Sequence, residues 1–444
     1  MDTERTQRPA EKLFACTTIV LALFLAACGL DGAAAPPNVI LVTLDTTRAD
    51  RVGAYGYDPA LTPELDRLAR GSAVFSDAMT PAPITLPSHA SLLTGTYPSF
   101  HGARDNGIYV VADGTNRTLP EILAAEGYAT VAVVSAFVLH ARFGLDQGFE
   151  IYDDEPESMA QAEYRGIPER TAAAATETAL AHARAARAGD DRPLFLWVHY
   201  FDPHAPFVAP PPFPELTRPD GGGGEYDGYD AEIAYVDREI GALLRGLEEL
   251  GILDGSLLVV AGDHGEGLET PHEERSHGIF LYGETVRTPL LFRDFSGRLP
   301  PRVVTEPVSL IDVVPTLLEH LDIPPPESCQ GHSLLETIRS GAPPEDRPIL
   351  AETFLPYHSF GWSPLLAIRV GDWKLVRAPR PELYDLASDP SERTNVHDRH
   401  PERAARLDAR LIVETGVTTR SLPRVATRLT EEERRQLEAL GYLS

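Results

Sequence analysis

Lysine is nearly missing from this chain of 444 residues: Lys12 and Lys374 are the only two. Cationic help at any site must therefore come from arginine, protonated histidine or a metal ion. Acidic residues (66) far outnumber Lys and Arg together (39), and the formal charge is −27. That balance argues against nucleic acid as a partner, because a phosphate backbone demands a basic surface. It also means that an anionic substrate must meet a local field that overrides the global one, for which a bound metal is the natural source. Cysteine is scarce too. Cys16, Cys28 and Cys329 cannot make a disulfide framework. No apolar run reaches the roughly 20 residues that a membrane-spanning helix needs.

What is present is an ordinary globular composition, 43% hydrophobic and 24% charged. The length suits one large α/β domain with a smaller appendage, or two domains. Near the N-terminus, Arg5, Arg8 and Lys12 precede an apolar run, Leu13 to Ala27, that closes on Leu25-Ala26-Ala27-Cys28-Gly29. This resembles a bacterial lipoprotein signal, in which Cys28 is lipidated and becomes the new N-terminus; a plain signal peptide or an uncleaved anchor is the alternative. The expectation is a protein of the bacterial cell envelope, lipid-anchored on the periplasmic side or in the outer membrane, with Cys329 unpaired. The boundaries that follow are a signal (1–27), a linker (28–36), a catalytic domain (37–345), a C-terminal subdomain (346–400) and a helical tail (401–444).

Along the chain, Asn38-Val39-Ile40-Leu41-Val42-Thr43-Leu44 is a continuous apolar run. It fits a central parallel strand buried on both faces, ending at Asp45. A Pro-initiated helix at Thr62–Ala69 follows. Further on come a helix near Leu119–Glu126, a strand Ala129–Ser135, an alanine-rich helix from about Pro168 to Ala188, a strand Leu194–Tyr200 and a helix from about Tyr229 to Leu250. The strand Ser256–Ala261 then runs into Gly262-Asp263-His264. Strands alternating with longer helices predict a mostly parallel sheet flanked by helices. The loops Ala205–Pro214 and Gly221–Gly224 interrupt this order and are expected to shape a pocket mouth. From about Leu350 short strands (Leu366–Val370, Trp373–Val376) predict a small antiparallel subdomain, and Thr430-Glu431-Glu432-Glu433 opens a last helix.

The stretch Thr85-Leu86-Pro87-Ser88-His89 places a hydroxyl just ahead of a short apolar helix, with Ser88 as the expected cap. A nucleophile there would face unpaired backbone N–H groups and the positive end of the helix dipole, where an anionic tetrahedral group is welcome. Asp45 and Asp263 sit at the carboxyl ends of two predicted central strands, where α/β sheets place ligand groups. Together with Thr85 and His264 they form a reasonable divalent-metal shell. The imidazole favours zinc or manganese over calcium, which prefers oxygen only.

Thr43-Leu44-Asp45-Thr46-Thr47-Arg48-Ala49-Asp50, the Thr85–Gly95 stretch, Asp202-Pro203-His204-Ala205-Pro206 and Gly262-Asp263-His264-Gly265-Glu266 together resemble the sulfatase-like branch of the alkaline phosphatase superfamily. Ser276-His277-Gly278, Arg287-Thr288-Pro289-Leu290-Leu291 and Glu382-Leu383-Tyr384-Asp385-Leu386 extend the resemblance over residues 37 to 395. It implies an α/β fold: an alkaline-phosphatase-like core with a mostly parallel central sheet, plus a small C-terminal antiparallel subdomain. The departures are chemical. Sulfatases carry Cys or Ser where this chain has Thr85, oxidised to formylglycine, and threonine cannot become that aldehyde. They carry Arg where this chain has His89, and Asn where it has His264; their active-site lysines are absent.

By resemblance to members that use a metal-bound threonine, Thr85 is the expected nucleophile and Asp45, Thr85, Asp263 and His264 the metal ligands. Asn106 is expected to donate to a substrate oxygen, and His204 and His277 to contact substrate oxygens or protonate the leaving group. One metal site is expected, with a second, from Asp202, His204 and His277, left open. A sulfo-threonine has no aldehyde route for release, whereas a phospho-threonine yields to water. The first expectation is therefore hydrolysis of phosphate (di)esters. The alternatives are a sulfuric ester hydrolase, a phosphotransferase of the phosphoethanolamine transferase type and, last, a non-catalytic surface lipoprotein. Expected partners are a small-molecule or glycan/lipid ester and the membrane, through the anchor. Arg48 and Asp50 are expected to brace the first loop, Arg287 to form an ion pair, and Lys374 to lie on the surface.

Overall fold

The computed structural model describes residues 35–58, 61–111, 114, 116–155, 169–217, 226–268, 272, 275–416 and 430–439. Cys28, the signal and the Gly221–Gly224 loop lie outside them. In chain order the strands are β1 (Val39–Leu44), β2 (Ala73–Phe75), β3 (Ala78–Met79), β4 (Ala129–Val133), β5 (Ile151–Asp153), β6 (Leu194–Tyr200), β7 (Leu257–Gly262) and β8 (Arg287–Thr288). Then come β9 (Leu290–Asp294), β10 (Arg302–Val304), β11 (Val308–Ser309), β12 (Ile349–Thr353), β13 (Leu365–Val370), β14 (Trp373–Arg377) and β15 (Glu382–Asp385).

The main sheet has eight strands in the order β10-β2-β9-β7-β1-β6-β4-β5, and β9 alone runs against its neighbours. The apolar β1 run occupies the middle. Val39 and Leu41 join one apolar layer; Ile40, Val42 and Leu44 join the other. Alternate side chains of one strand thus enter opposite layers, as the two-period pleat requires. The first layer is closed by the helices Thr85–Thr94 and Val313–His320, through Leu86, Ala90, Leu92, Leu93, Val314 and Leu317. The second is closed by Ala172–Arg187, on an all-alanine stripe (Ala172, Ala175, Ala179, Ala183), and by Asp227–Glu249.

Short alanines let the first of these helices lie close to the sheet, and the register of β1 on β7 sets Leu44 opposite Gly262. Asp45 and Asp263 therefore leave adjacent strands side by side. β12-β13-β14-β15 form the antiparallel C-terminal sheet. It packs its Leu350, Ile368 and Leu383 against Ala404, Leu407 and Leu411 of the helix Pro401–Thr415. No helix of the described residues is long and apolar enough to cross a membrane.

Three local expectations need correction. Ile84, not Ser88, stands at the N-cap position of the Thr85–Thr94 helix, without a side-chain capping bond, and Thr85 is the first helical residue. Ser88 is wholly buried, and its hydroxyl donates to the Asp263 carbonyl at 2.7 Å, tying the helix to the end of β7. Lys374 is not on the surface: its ammonium is buried, 2.7 Å from Glu392 and donating to the Leu281 carbonyl. Arg287 makes no ion pair among the described contacts; it is exposed and donates to the Ser76 carbonyl. Arg48 and Asp50 do pair, at 2.7 Å, and Arg48 also holds the Glu266 carbonyl, so the first loop is braced against the loop after β7.

Candidate active site

Asp45, Thr85, Asp263 and His264 converge, and each is completely buried. The Thr85 hydroxyl lies 3.3 Å from His264 Nε2. That nitrogen is 3.5 Å from Asp263 Oδ2 and 4.0 Å from Asp45 Oδ1. Carboxylate Oδ1 of Asp263 is fixed by the backbone N–H groups of Thr46 (3.1 Å) and His264 (2.6 Å), which leaves Oδ2 to face the cluster. Thr46 holds a left-handed φ of 47°, the local cost of turning its N–H toward that oxygen.

His264 Nδ1 is 3.0 Å from the Gly265 carbonyl, which can only accept. Nδ1 therefore carries the proton and Nε2 offers a lone pair, the form in which a ligating histidine is usually held. Burial, with His277 close by, pushes the His264 imidazole well below its usual range, so it is neutral.

Both oxygens of Asp45, and Oδ2 of Asp263, are buried without a hydrogen bond. Burial pushes the Asp45 carboxyl up to about 8, and burial together with Asp45 raises Asp263 well above the carboxylate range. Two such carboxylates and an imidazole lone pair within 4.8 Å of one another lack only a cation. The residues fit a divalent ion, with Asp45, Asp263 and His264 as its holders and the Thr85 hydroxyl at its edge.

The other predicted groups are brought to the same place. Asn106 Oδ1 accepts from the Leu86 N–H at 2.8 Å, so this side chain caps the Thr85–Thr94 helix; its Nδ2 is buried without a hydrogen-bond partner. The oxygen end of this amide is thus spent on the helix start. His277 packs its ring 4.5 Å from that of His264 and 5.1 Å from that of His204. The two outer imidazoles differ in charge. Burial holds His204 down at about 3, and its Nδ1–H is engaged by the Ala205 carbonyl at 2.7 Å. Burial also works against His277, but the Glu266 carboxylate, 3.4 Å away, outweighs it and raises the pKa. Glu266 was part of the recognised motif without a role; the Arg48 grip on its carbonyl and its contact with His277 give it one. Among the described residues, Asp202, His204 and His277 form no metal-ligand group.

Two buried histidines reach the carboxylates without a role expected of them from sequence: His89, noted only as a departure from the sulfatase pattern, and His199. His199 sits inside the apolar β6, where it reads as core, and its Nε2 reaches to 3.2 Å from Asp45 Oδ2. His89, one turn after Thr85, contacts Asp263 Oδ2 at 3.6 Å. Register was the available signal for His199, since it pairs with Thr43 two residues before Asp45.

The sulfatase family profile matches residues 37–323, and the profile for the C-terminal part of N-sulphoglucosamine sulphohydrolase matches residues 276–414. The ulvan-active sulfatase of Formosa agariphila is 27% identical over 81% of this chain and 77% of its own. A multifunctional alkaline phosphatase superfamily protein of Trinickia caryophylli is 26% identical over 81% of this chain and 91% of its own. A solved 2-O GAG sulfatase superposes with a TM-score of 0.69 at 20% identity, covering 88% of this chain and 95% of its own. The chain belongs to the sulfatase family of the alkaline phosphatase superfamily, whose members are metal-dependent ester hydrolases.

Proposed function

We propose that this chain is a divalent-metal-dependent sulfuric ester hydrolase acting on a glycan or small-molecule sulfate ester, with Thr85 as its nucleophile. The observation that carries the reading is the meeting of the Thr85 hydroxyl with His264, Asp45 and Asp263 inside a chain that matches the sulfatase profile over residues 37–323. The relatives support sulfate esters better than the phosphate diesters that threonine chemistry alone put first. Zinc or manganese suits the imidazole-containing shell better than calcium does.

A divalent ion there would supply positive charge that lowers the pKa of the Thr85 hydroxyl and neutralises the oxygens of the ester. The chain supplies the rest. Thr85 Oγ1, its proton given up to water, attacks the central atom in line; the bond to the leaving oxygen breaks on the opposite side and that oxygen takes a proton. His277 is the acid, since Glu266 favours its protonated form, while neutral His204 and the Asn106 amide hold the equatorial oxygens. Water then cleaves the Thr85 ester and releases the anion.

One observation favours a second reading, in which phosphate (di)esters are the substrates: Thr85 stands where formylglycine chemistry needs Cys or Ser, so release depends on hydrolysis, which phospho-threonine undergoes readily. Nitrophenyl sulfate, nitrophenyl phosphate and bis-nitrophenyl phosphate, assayed side by side with zinc-, manganese- and calcium-loaded protein and with Thr85→Ala, separate the two. Sulfate release that needs Thr85 establishes the first reading, and faster diester cleavage replaces it with the second. Lipidation at Cys28 and an envelope location belong to the same proposal, supported by Leu25-Ala26-Ala27-Cys28. Mass spectrometry of the membrane-extracted protein, with Cys28→Ala as control, tests them.

A further inference from the structure

Three buried histidines surround the carboxylates, and hydrogen bonding sets which nitrogen of each ring carries the proton. His264 presents a lone pair to the cluster, because its Nδ1–H is spent on the Gly265 carbonyl. The other two are set the opposite way. The N–H of Ser135 donates to His199 Nδ1 at 3.4 Å, so the proton of that ring is on Nε2, the atom that faces Asp45 Oδ2 at 3.2 Å. Neither Nε2 nor Oδ2 has a hydrogen-bond partner of its own.

His89 Nδ1 lies 2.8 Å from the Thr85 carbonyl, which cannot donate, so Nδ1 carries the proton and faces Asp263 Oδ2 as well. The other nitrogen of His89 accepts from the Thr43 hydroxyl at 3.1 Å, and that hydroxyl is oriented by the indole N–H of Trp197 at 2.9 Å. His89, His199 and Asp263 are near enough to one another to suggest a second metal site. An imidazole N–H cannot ligate, however, and both nitrogens that point inward are protonated.

We propose that His199 and His89 are positioning residues that aim Asp45 and Asp263 at a single ion, with His264 the one imidazole ligand among the three. This rests on the metal-dependent reading of the same site. These neutral N–H groups face the two carboxylates from behind at 3.2 and 3.6 Å, near enough to orient them as an ion is bound without adding a charge or taking a coordination position, the task that outer hydrogen bonds perform in metal sites. His89 also links the carbonyl of the nucleophile residue to a metal carboxylate, so the helix start and the ion-holding strand end move together.

The test is binding of zinc and cobalt(II) to chelator-stripped full-length protein, by calorimetry and by visible absorption of the cobalt form, with the metal-free melting temperature as a folding control. His199→Leu should weaken binding by about 10- to 100-fold, the usual effect of removing an outer-shell partner. His199→Gln, which keeps an N–H near the same place, should recover most of that loss. In both, the number of ions bound and the cobalt band shape stay as in the parent protein, whereas His264→Gln changes the band shape.

Loss of a bound ion in His199→Leu, a cobalt spectrum altered in His199→Gln, or unchanged affinity in His199→Leu overturns the proposal while leaving the parent site intact. If His199→Leu does not fold, the band shape and stoichiometry of His199→Gln decide alone. A parent protein that binds no divalent ion overturns both this inference and the functional reading.

Discussion

The inner half of the site, Asp45, Asp263 and His264, hangs on the ends of two adjacent strands, while the outer half, Asn106, His204, His277 and Glu266, comes from loops. In the inner half the β1–β7 register fixes the spacing, every group is fully buried, and the polar atoms that lack partners are all carboxylate oxygens. In the outer half, ring packing and one carboxylate set the charges: His204 is neutral and His277 favours its proton. A rigid inner half suits holding an ion at fixed geometry. A loop-built outer half suits proton transfer and recognition, where small shifts of environment tune a pKa without moving Thr85.

If this division holds, damage to the inner half abolishes turnover and damage to the outer half reshapes it. Metal removal by a chelator should have the largest effect, bringing ester hydrolysis to background. Zinc or manganese should restore it better than calcium, measured as initial rate against added ion; equal restoration by calcium would place the ion in an all-oxygen shell that His264 does not join. Thr85→Ala comes next. Loss of a nucleophile costs on the order of 10⁴-fold or more in kcat. Affinity for the ion should fall far less, because Asp45, Asp263 and His264 remain, and calorimetry on the same variant checks that separation.

His277→Gln should cost about 10²-fold in kcat, the usual worth of a general acid. The loss should be smaller with a nitrophenolate leaving group than with an alkyl alcohol, since the former needs little protonation. A loss independent of the leaving group would assign His277 to substrate binding instead.

The chain shows how far such a division can be read from sequence. β1, β6 and β7 announce themselves as apolar runs, and Asp45 and Asp263 follow because a strand end is a fixed address. Thr85 was legible from its motif, yet its helix cap was not. Ser88 has the composition of a cap, but tertiary contact with the Asp263 carbonyl claims its hydroxyl, and Asn106, 20 residues on, supplies the oxygen that the helix start needs. His199 was illegible because one polar residue in Leu194–Tyr200 does not disturb a strand pattern, and its meaning depends on the neighbour across the ladder. Lys374 misled for a similar reason: an exposed lysine is the rule, and the buried Glu392 that overrides it comes from a turn 18 residues further along.

The smallest effect expected is also the most informative about the outer half, because it is a shift and not a loss. In the parent protein, burial disfavours the His277 cation and Glu266 reverses that, so the pKa is raised. A general acid works only while protonated, so kcat/KM should fall as pH rises through the His277 pKa. Glu266→Gln keeps the shape of the side chain and removes its charge. Burial then prevails, the His277 pKa drops, and the falling limb of the pH profile moves to lower pH. At pH values below both pKa values the variant and the parent should turn over at similar rates, and at pH values above both the variant should be slower by about tenfold for each unit of displacement. A limb that stays in place, or moves to higher pH, would mean that the titrating acid is some other group and that the Glu266–His277 contact only braces the loop after β7.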